Sequence, residues 1–172
     1  MKELSRYEDI HLVCQAFTYN DQLAESYRAA FKPAWEADTN SWMPEYAYKA
    51  IWPFIPIPYR WFFKKKADVQ IFFNFYVPPG TNGRVMTMIH DMAMKAYPRT
   101  ISWKTKIMLA LTLKKSCKRA DKILTVSQFS KDEIIKYLKV APEKIEVLYN
   151  GVDAVRFHTG YAEETIGSVK EK

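Results

Sequence analysis

Four short runs of β-branched and aromatic residues, each followed by a turn or helix signal, constrain this chain more than any other feature. They are Val69–Phe75 (VQIFFNF), Val85–Ile89, Lys122–Val126 and Ile145–Leu148. Between the second and third lies Ile101–Arg119, a helix-length stretch. Its Trp103, Ile107, Ala110, Leu113 and Cys117 recur at three- and four-residue steps, which predicts one buried face. Between the third and fourth, Ser130 and Glu133 stand at capping-box spacing, with Ile134, Ile135 and Leu138 as an apolar stripe and Pro142 closing the connection. Strands alternating with helices at this rhythm predict an α/β fold: a Rossmann-like parallel sheet with helices on both faces.

The first third is less regular. Ile10–Phe17 reads as a strand buried on both faces, because its apolar residues do not alternate. Asp21–Phe31 reads as a short helix, with Leu23, Tyr27 and Phe31 four residues apart and Pro33 beyond. Residues 33–66 hold five prolines and four of the five tryptophans, which predicts helical turns and aromatic-packed loop. The loop Val77–Gly83 carries Pro78-Pro79-Gly80 and Asn82-Gly83.

At 172 residues the chain suits one domain and is too short for two full α/β domains. With 48% hydrophobic residues it has enough apolar side chain for a core, which excludes a disordered chain. Two cysteines, Cys14 and Cys117, make no disulfide framework and no metal-ligand spacing; both read as buried thiols in a reducing cytoplasm. The most apolar stretch, Ile51–Tyr59, is interrupted by three prolines and is far shorter than the roughly 20 residues a membrane span needs. No secretory signal pattern opens the chain.

In open parallel sheets, ligands collect at the carboxyl ends of the strands. Three polar clusters follow predicted strands here: His90-Asp91, Ser127–Lys131, and Asn150-Gly151-Val152-Asp153. Each alone has an ordinary explanation as a loop, a helix cap or a turn. On one rim of one sheet they would line a binding cleft. Phosphate-loop, dinucleotide-binding, serine-hydrolase and zinc-protease motifs are absent, and no metal site is argued. His11 and His158 read as structural or solvated.

The charge is +7, and eight Lys or Arg stand against one Asp between Arg99 and Lys122. Lys104, Lys115, Lys118 and Arg119 fall on one flank of the long helix. With Trp52, Trp61, Phe62 and Phe63 beside Lys64-Lys65-Lys66, they would suit an anionic membrane surface. No groove-reading motif points to nucleic acid.

From about residue 67 to 157 the sequence resembles the N-terminal half of a family-4 retaining glycosyltransferase of the GT-B fold. The residues that carry the likeness are Ala67-Asp68-Val69, Pro78-Pro79, "MTMIHDM", "KRADKILTVSQFSKDEI", "PEKIEVLYNGVD" and Phe157. The resemblance implies metal-independent hexosyl transfer from a nucleotide-sugar donor to a lipid-linked or polysaccharide acceptor, with no cofactor. It implies His90 beside the transferred sugar and Asp91 orienting its loop as the catalytic pair. Phe75, Tyr76, Pro78 and Pro79 become acceptor contacts, Ser127, Ser130 and Lys131 cleft donors, and Asn150, Gly151 and Asp153 the floor.

The match also departs from the family. The sequence reads as lacking the first strand and its Gly-rich loop, and as stopping before the domain that grips the nucleotide. The expected organisation is one Rossmann-like domain over 1–157 and a tail over 158–172. It implies about half an enzyme, either a fragment or split-gene half that is inactive alone or a transferase that recruits the missing parts from a second chain, located in the cytoplasm or at the inner face of the membrane. The alternative is a noncatalytic adaptor or membrane-surface module.

Overall fold

The computed structural model describes residues 7, 9–18, 21–31, 36–152 and 157. The chain runs β1 (Val13–Phe17), α1 (Asp21–Phe31), β2 (Glu36–Asn40), α2 (Glu45–Ile51), a 3-10 turn (Tyr59–Trp61), β3 (Val69–Phe72) and β4 (Arg84–Met88). It continues through α3 (Ala93–Ala96), α4 (Trp103–Arg119), β5 (Lys122–Thr125), α5 (Gln128–Leu138) and β6 (Ile145–Val147). All described strand pairs are parallel; helices connect β1 to β2, β4 to β5 and β5 to β6, and a loop joins β3 to β4: an α/β, Rossmann-like architecture.

The strands fall into two sheets rather than the one expected. β1 pairs with β2, while β3, β4, β5 and β6 lie side by side in chain order. The larger sheet holds the principal core. Val85, Ile89, Ile123 and Ile145 meet Leu113 and Cys117 of α4 and Ile134 and Leu138 of α5. Asp121 ties β4 to the start of β5 twice, its carboxylate accepting from the Val85 amide and its own amide donating to the Val85 carbonyl.

The proline- and tryptophan-rich segment forms a second core. Tyr48, Trp52, Tyr59, Phe62 and Phe63 are buried together, and Phe17 stacks on Tyr48 with ring centroids 5.3 Å apart. Such aromatic pairs each add about 1 kcal/mol beyond the area they bury. Arg119, at the end of α4, lays its guanidinium 5.1 Å from the Trp52 ring centre and donates to the Val77 carbonyl, which joins the two cores.

Four expectations change. β2 (EADTN) has little strand propensity, and its backbone is held by pairing with β1. The buried face of α4 is Leu109, Thr112, Leu113, Ser116 and Cys117, so Trp103 (66% exposed) and Ile107 (52%) face outward with Ala110. Trp52, Phe62 and Phe63 are core residues, which leaves Trp61 alone of that group exposed. Cys117 is buried as expected, whereas Cys14 is half-buried.

Candidate functional site at the carboxyl rim of the larger sheet

β4, β5 and β6 end level with one another, because Met88 pairs with Leu124 and Thr125 with Val147. The ladder runs on past the strands: the Ile89 amide donates to the Leu124 carbonyl and the Leu148 amide to the Thr125 carbonyl. The residues that follow, His90, Ser127 and Asn150, therefore leave the same end of the sheet.

His90 is exposed at this rim. Its Nε2 lies 3.2 Å from the Phe73 carbonyl, and its ring meets the edge of Phe75 at 6.2 Å between centroids. Phe75 reaches that position in the left-handed region (φ 54°), and its amide donates to the Met88 carbonyl. A non-glycine residue held at positive φ stores backbone strain that the surrounding structure must offset. Asp91 turns back on its own loop, its carboxylate accepting from the Ala93 amide at 2.9 Å and so ordering α3.

The start of α5 differs from the predicted capping box. The cap is Ser127, whose hydroxyl accepts from the Ser130 amide at 3.1 Å, so Ser130 lies inside the helix. That frees the Ser130 hydroxyl to donate to the His90 carbonyl at 2.9 Å. One hydroxyl thus fastens the histidine loop to the helix start. The amides of Gln128 and Phe129, in the first turn, are among the donors that helix geometry leaves without an intrahelical acceptor. Together with the helix dipole they make this end attractive to an anion.

The Lys131 ammonium donates to the Ile145 carbonyl at 2.8 Å and is occupied in holding β6. Pro78 and Pro79 are buried, and the Pro79 carbonyl accepts from the Tyr59 amide, so this loop is part of the aromatic core's wall. Tyr76 is half-buried under the Lys49 ammonium, 5.5 Å from its ring centre. Asn150 and Gly151 are exposed, and Gly151 has nothing within 4 Å of where a Cβ would stand. Asp153 and the tail 158–172 lie outside the described residues.

A cavity of about 570 Å³ opens between β1 and β3 and reaches Phe73 and Asn74, next to the histidine. Phe73, Asn74 and this cavity were not singled out in the sequence; they arise where β3 ends three residues before Phe75, a boundary that propensity does not mark. Among the described residues no group of three or more His, Cys, Asp and Glu could hold a metal ion.

The Glycosyltransferase Family 4 model matches residues 6–156. The chain belongs to glycosyltransferase family 4. Over 69 residues it is 41% identical to the O-antigen chain mannosyltransferase RfbU of Salmonella typhimurium (strain LT2), a match covering 40% of this chain and 19% of that protein. The chain thus matches about a fifth of the length of this curated relative.

Proposed function

We propose that this domain forms the acceptor side of a retaining hexosyltransferase that uses a nucleotide-sugar donor and builds a lipid-linked or polysaccharide glycan. The observation that carries the reading is the Ser130 hydroxyl bound to the His90 carbonyl, which fixes an exposed imidazole beside a helix start that favours negative charge. In the proposed step an acceptor hydroxyl oxygen bonds to the anomeric carbon on the face the donor phosphate leaves. The carbon–oxygen bond to phosphate breaks, and the acceptor proton passes to the departing phosphate. His90 hydrogen-bonds the transferred sugar, Asp91 orders the loop, and the first amides of α5 stabilise charge developing nearby. Asn150 and Gly151 border the cleft.

These 172 residues by themselves are expected to transfer no sugar, because in this reading nucleotide grip comes from a separate domain. The test incubates the chain with labelled nucleotide hexoses and a polyprenyl-linked acceptor, with and without the nucleotide-binding domain of a family-4 enzyme. Labelled product only in the presence of the second domain supports the proposal; product from the chain alone refutes it.

A second reading, docking on an anionic membrane surface at the inner face of the cytoplasmic membrane, is favoured by α4. Trp103, Ile107 and Leu111 are exposed at four-residue spacing, with Lys104, Lys114 and Lys118 along the same side. No helix of the described residues is long and apolar enough to cross a membrane, so such contact would lie in the interface plane. Each basic residue near an anionic surface adds about 1 kcal/mol. Flotation with vesicles containing phosphatidylglycerol, and none with pure phosphatidylcholine, is the expected result. Binding unchanged in a Lys104→Glu, Lys118→Glu variant would overturn it.

A further inference from the structure

A second cavity, of about 380 Å³, opens between the C-terminal halves of α4 and α5 and the turn that leads into β6. Arg119 ends α4 just before β5 begins at Lys122, and α5 leads through Pro142–Lys144 to Ile145. The cavity therefore lies at the amino end of the larger sheet, whereas the histidine rim stands at its carboxyl end. Its volume falls within the range of small-molecule sites.

The wall is basic. Lys114, Lys118, Lys139 and Lys144 line the cavity over buried Cys117 and Leu138, and no Asp or Glu lines it. None of these four lysines makes an ion pair among the described residues. The carboxylates nearest in sequence are engaged elsewhere: Asp121 accepts from the Val85 amide, and Glu146 pairs with Lys122. Lys144 is half-buried and close enough to the Cys117 thiol to favour its ionised form. Lys139 caps α5 in the left-handed region (φ 56°), a place where glycine or asparagine is usual.

Helix ends explain only part of this cluster. A helix C-terminus carries roughly half a negative charge, so the ends of α4 and α5 together offset about one of the four positive charges. Lys114 lies more than one turn before the end of α4, and Lys144 belongs to neither helix. Lys114 and Lys118 also stand four residues apart on α4, a like-charge spacing that weakens a helix. A bound anion would turn that repulsion into attraction.

We infer that this cavity binds an anionic phosphate group, held by the ammonium groups of Lys114, Lys118, Lys139 and Lys144, with the apolar floor receiving the carbon chain beside the phosphate. Phosphate oxygens are strong acceptors for charged donors, and a lysine meets them as a point charge. A soluble diphosphate and a phospholipid headgroup share this chemistry. The inference goes beyond the transfer reading, and its test uses neither sugar donor nor acceptor.

The test titrates the full 172-residue chain with inorganic pyrophosphate and, separately, with monomeric dihexanoyl phosphatidic acid, following backbone amide shifts. Saturable shifts confined to residues 114–118 and 137–144 with either probe support the site, and the tighter probe identifies the source. Lys114→Gln with Lys144→Gln should weaken binding about tenfold or more, since charge-assisted hydrogen bonds are lost. Lys95→Gln with Lys106→Gln removes the same charge outside the cavity and should change it by less than about twofold. A melting curve checks that each variant folds; if the first pair does not, Lys118→Gln at an exposed position takes its place with the same expected direction. Equal weakening by the two pairs overturns the site, because attraction would then follow net charge alone. Absence of binding by both probes overturns it. So do phosphatidic acid shifts confined to residues 103–111, which would leave the membrane reading standing without this cavity.

Discussion

The Ser130 hydroxyl donates to the His90 carbonyl across 2.9 Å, forty residues apart in sequence and from a different element. This bond ties the loop after β4 to the first turn of α5, so the imidazole's position depends on a helix cap. Ser130→Ala should lower stability by about 1 kcal/mol, the usual net value of a hydrogen bond. Ser127→Ala should lower it by a similar amount through loss of the cap. Thermal melts of both variants test this, and a Ser130→Ala protein as stable as the parent would deny the bond its role.

Thr125 ends β5 fully buried, and its hydroxyl has no hydrogen-bond partner among the described residues. A buried unpaired polar group costs about 1–3 kcal/mol. Thr125→Val, which keeps the shape and removes the hydroxyl, should therefore raise the melting temperature. A fall in melting temperature would mean that the hydroxyl has a partner in solution.

Burial pushes the Cys117 thiol up from 9.0 to about 11, with Lys144 partly opposing. In the unfolded chain the thiol ionises near its ordinary value, so its contribution is full below about pH 9 and is lost as pH rises toward 11. At about 1.4 kcal/mol per unit, the loss over that window is on the order of 2 kcal/mol. Tyr48 and Tyr59, also raised by burial, add to it at higher pH. Denaturant melts at pH 8, 9, 10 and 11 should show this decline, and Cys117→Ala should flatten its first part. The thiol should also react with disulfide reagents more slowly at pH 8 than half-buried Cys14, whose pKa is likewise raised by burial.

Two glycines should behave oppositely. Gly83 has φ +65°, and a Cβ there would stand 2.3 Å from the Ala67 carbonyl oxygen, so Gly83→Ala should destabilise the β3–β4 connection by more than 1 kcal/mol. Gly151→Ala has open space and should be neutral to folding. Equal melting temperatures for the two variants would contradict the geometry.

The strands β3 to β6 are legible because each is a compact apolar run between turn or helix signals, and the parallel pairing of β4, β5 and β6 follows from the helices between them, whereas β3 and β4 are joined by the loop 73–83. β2 was not legible. Its polar side chains find partners far along the chain: Asp38 accepts from the Lys65 amide, Asn40 bonds the Phe62 carbonyl, and Glu36 meets Lys65 and His11. No local pattern encodes such bonds. The α4 periodicity was read one face off, since Thr112 and Ser116 are buried by intrahelical and loop hydrogen bonds that hydropathy ignores; the Thr112 hydroxyl donates to the Met108 carbonyl and the Ser116 oxygen accepts from the Val77 amide. The rim was legible as three polar clusters after three strands. The bond that joins two of them has no local signature: Ser130 stands at capping-box spacing from Glu133, while Ser127 provides the cap and the Ser130 hydroxyl reaches His90.

The role of the imidazole is the most exposed claim. His90 makes one side-chain hydrogen bond at an exposed position, so His90→Ala should leave the melting temperature within about 2 °C, in keeping with the small effect of surface substitutions. The decisive measurement is sugar transfer by the domain paired with a family-4 nucleotide-binding domain, comparing parent and His90→Ala. The account predicts a loss of at least a hundredfold in turnover with folding intact. Transfer at the parental rate, or a collapse in stability that accounts for the loss, would contradict it.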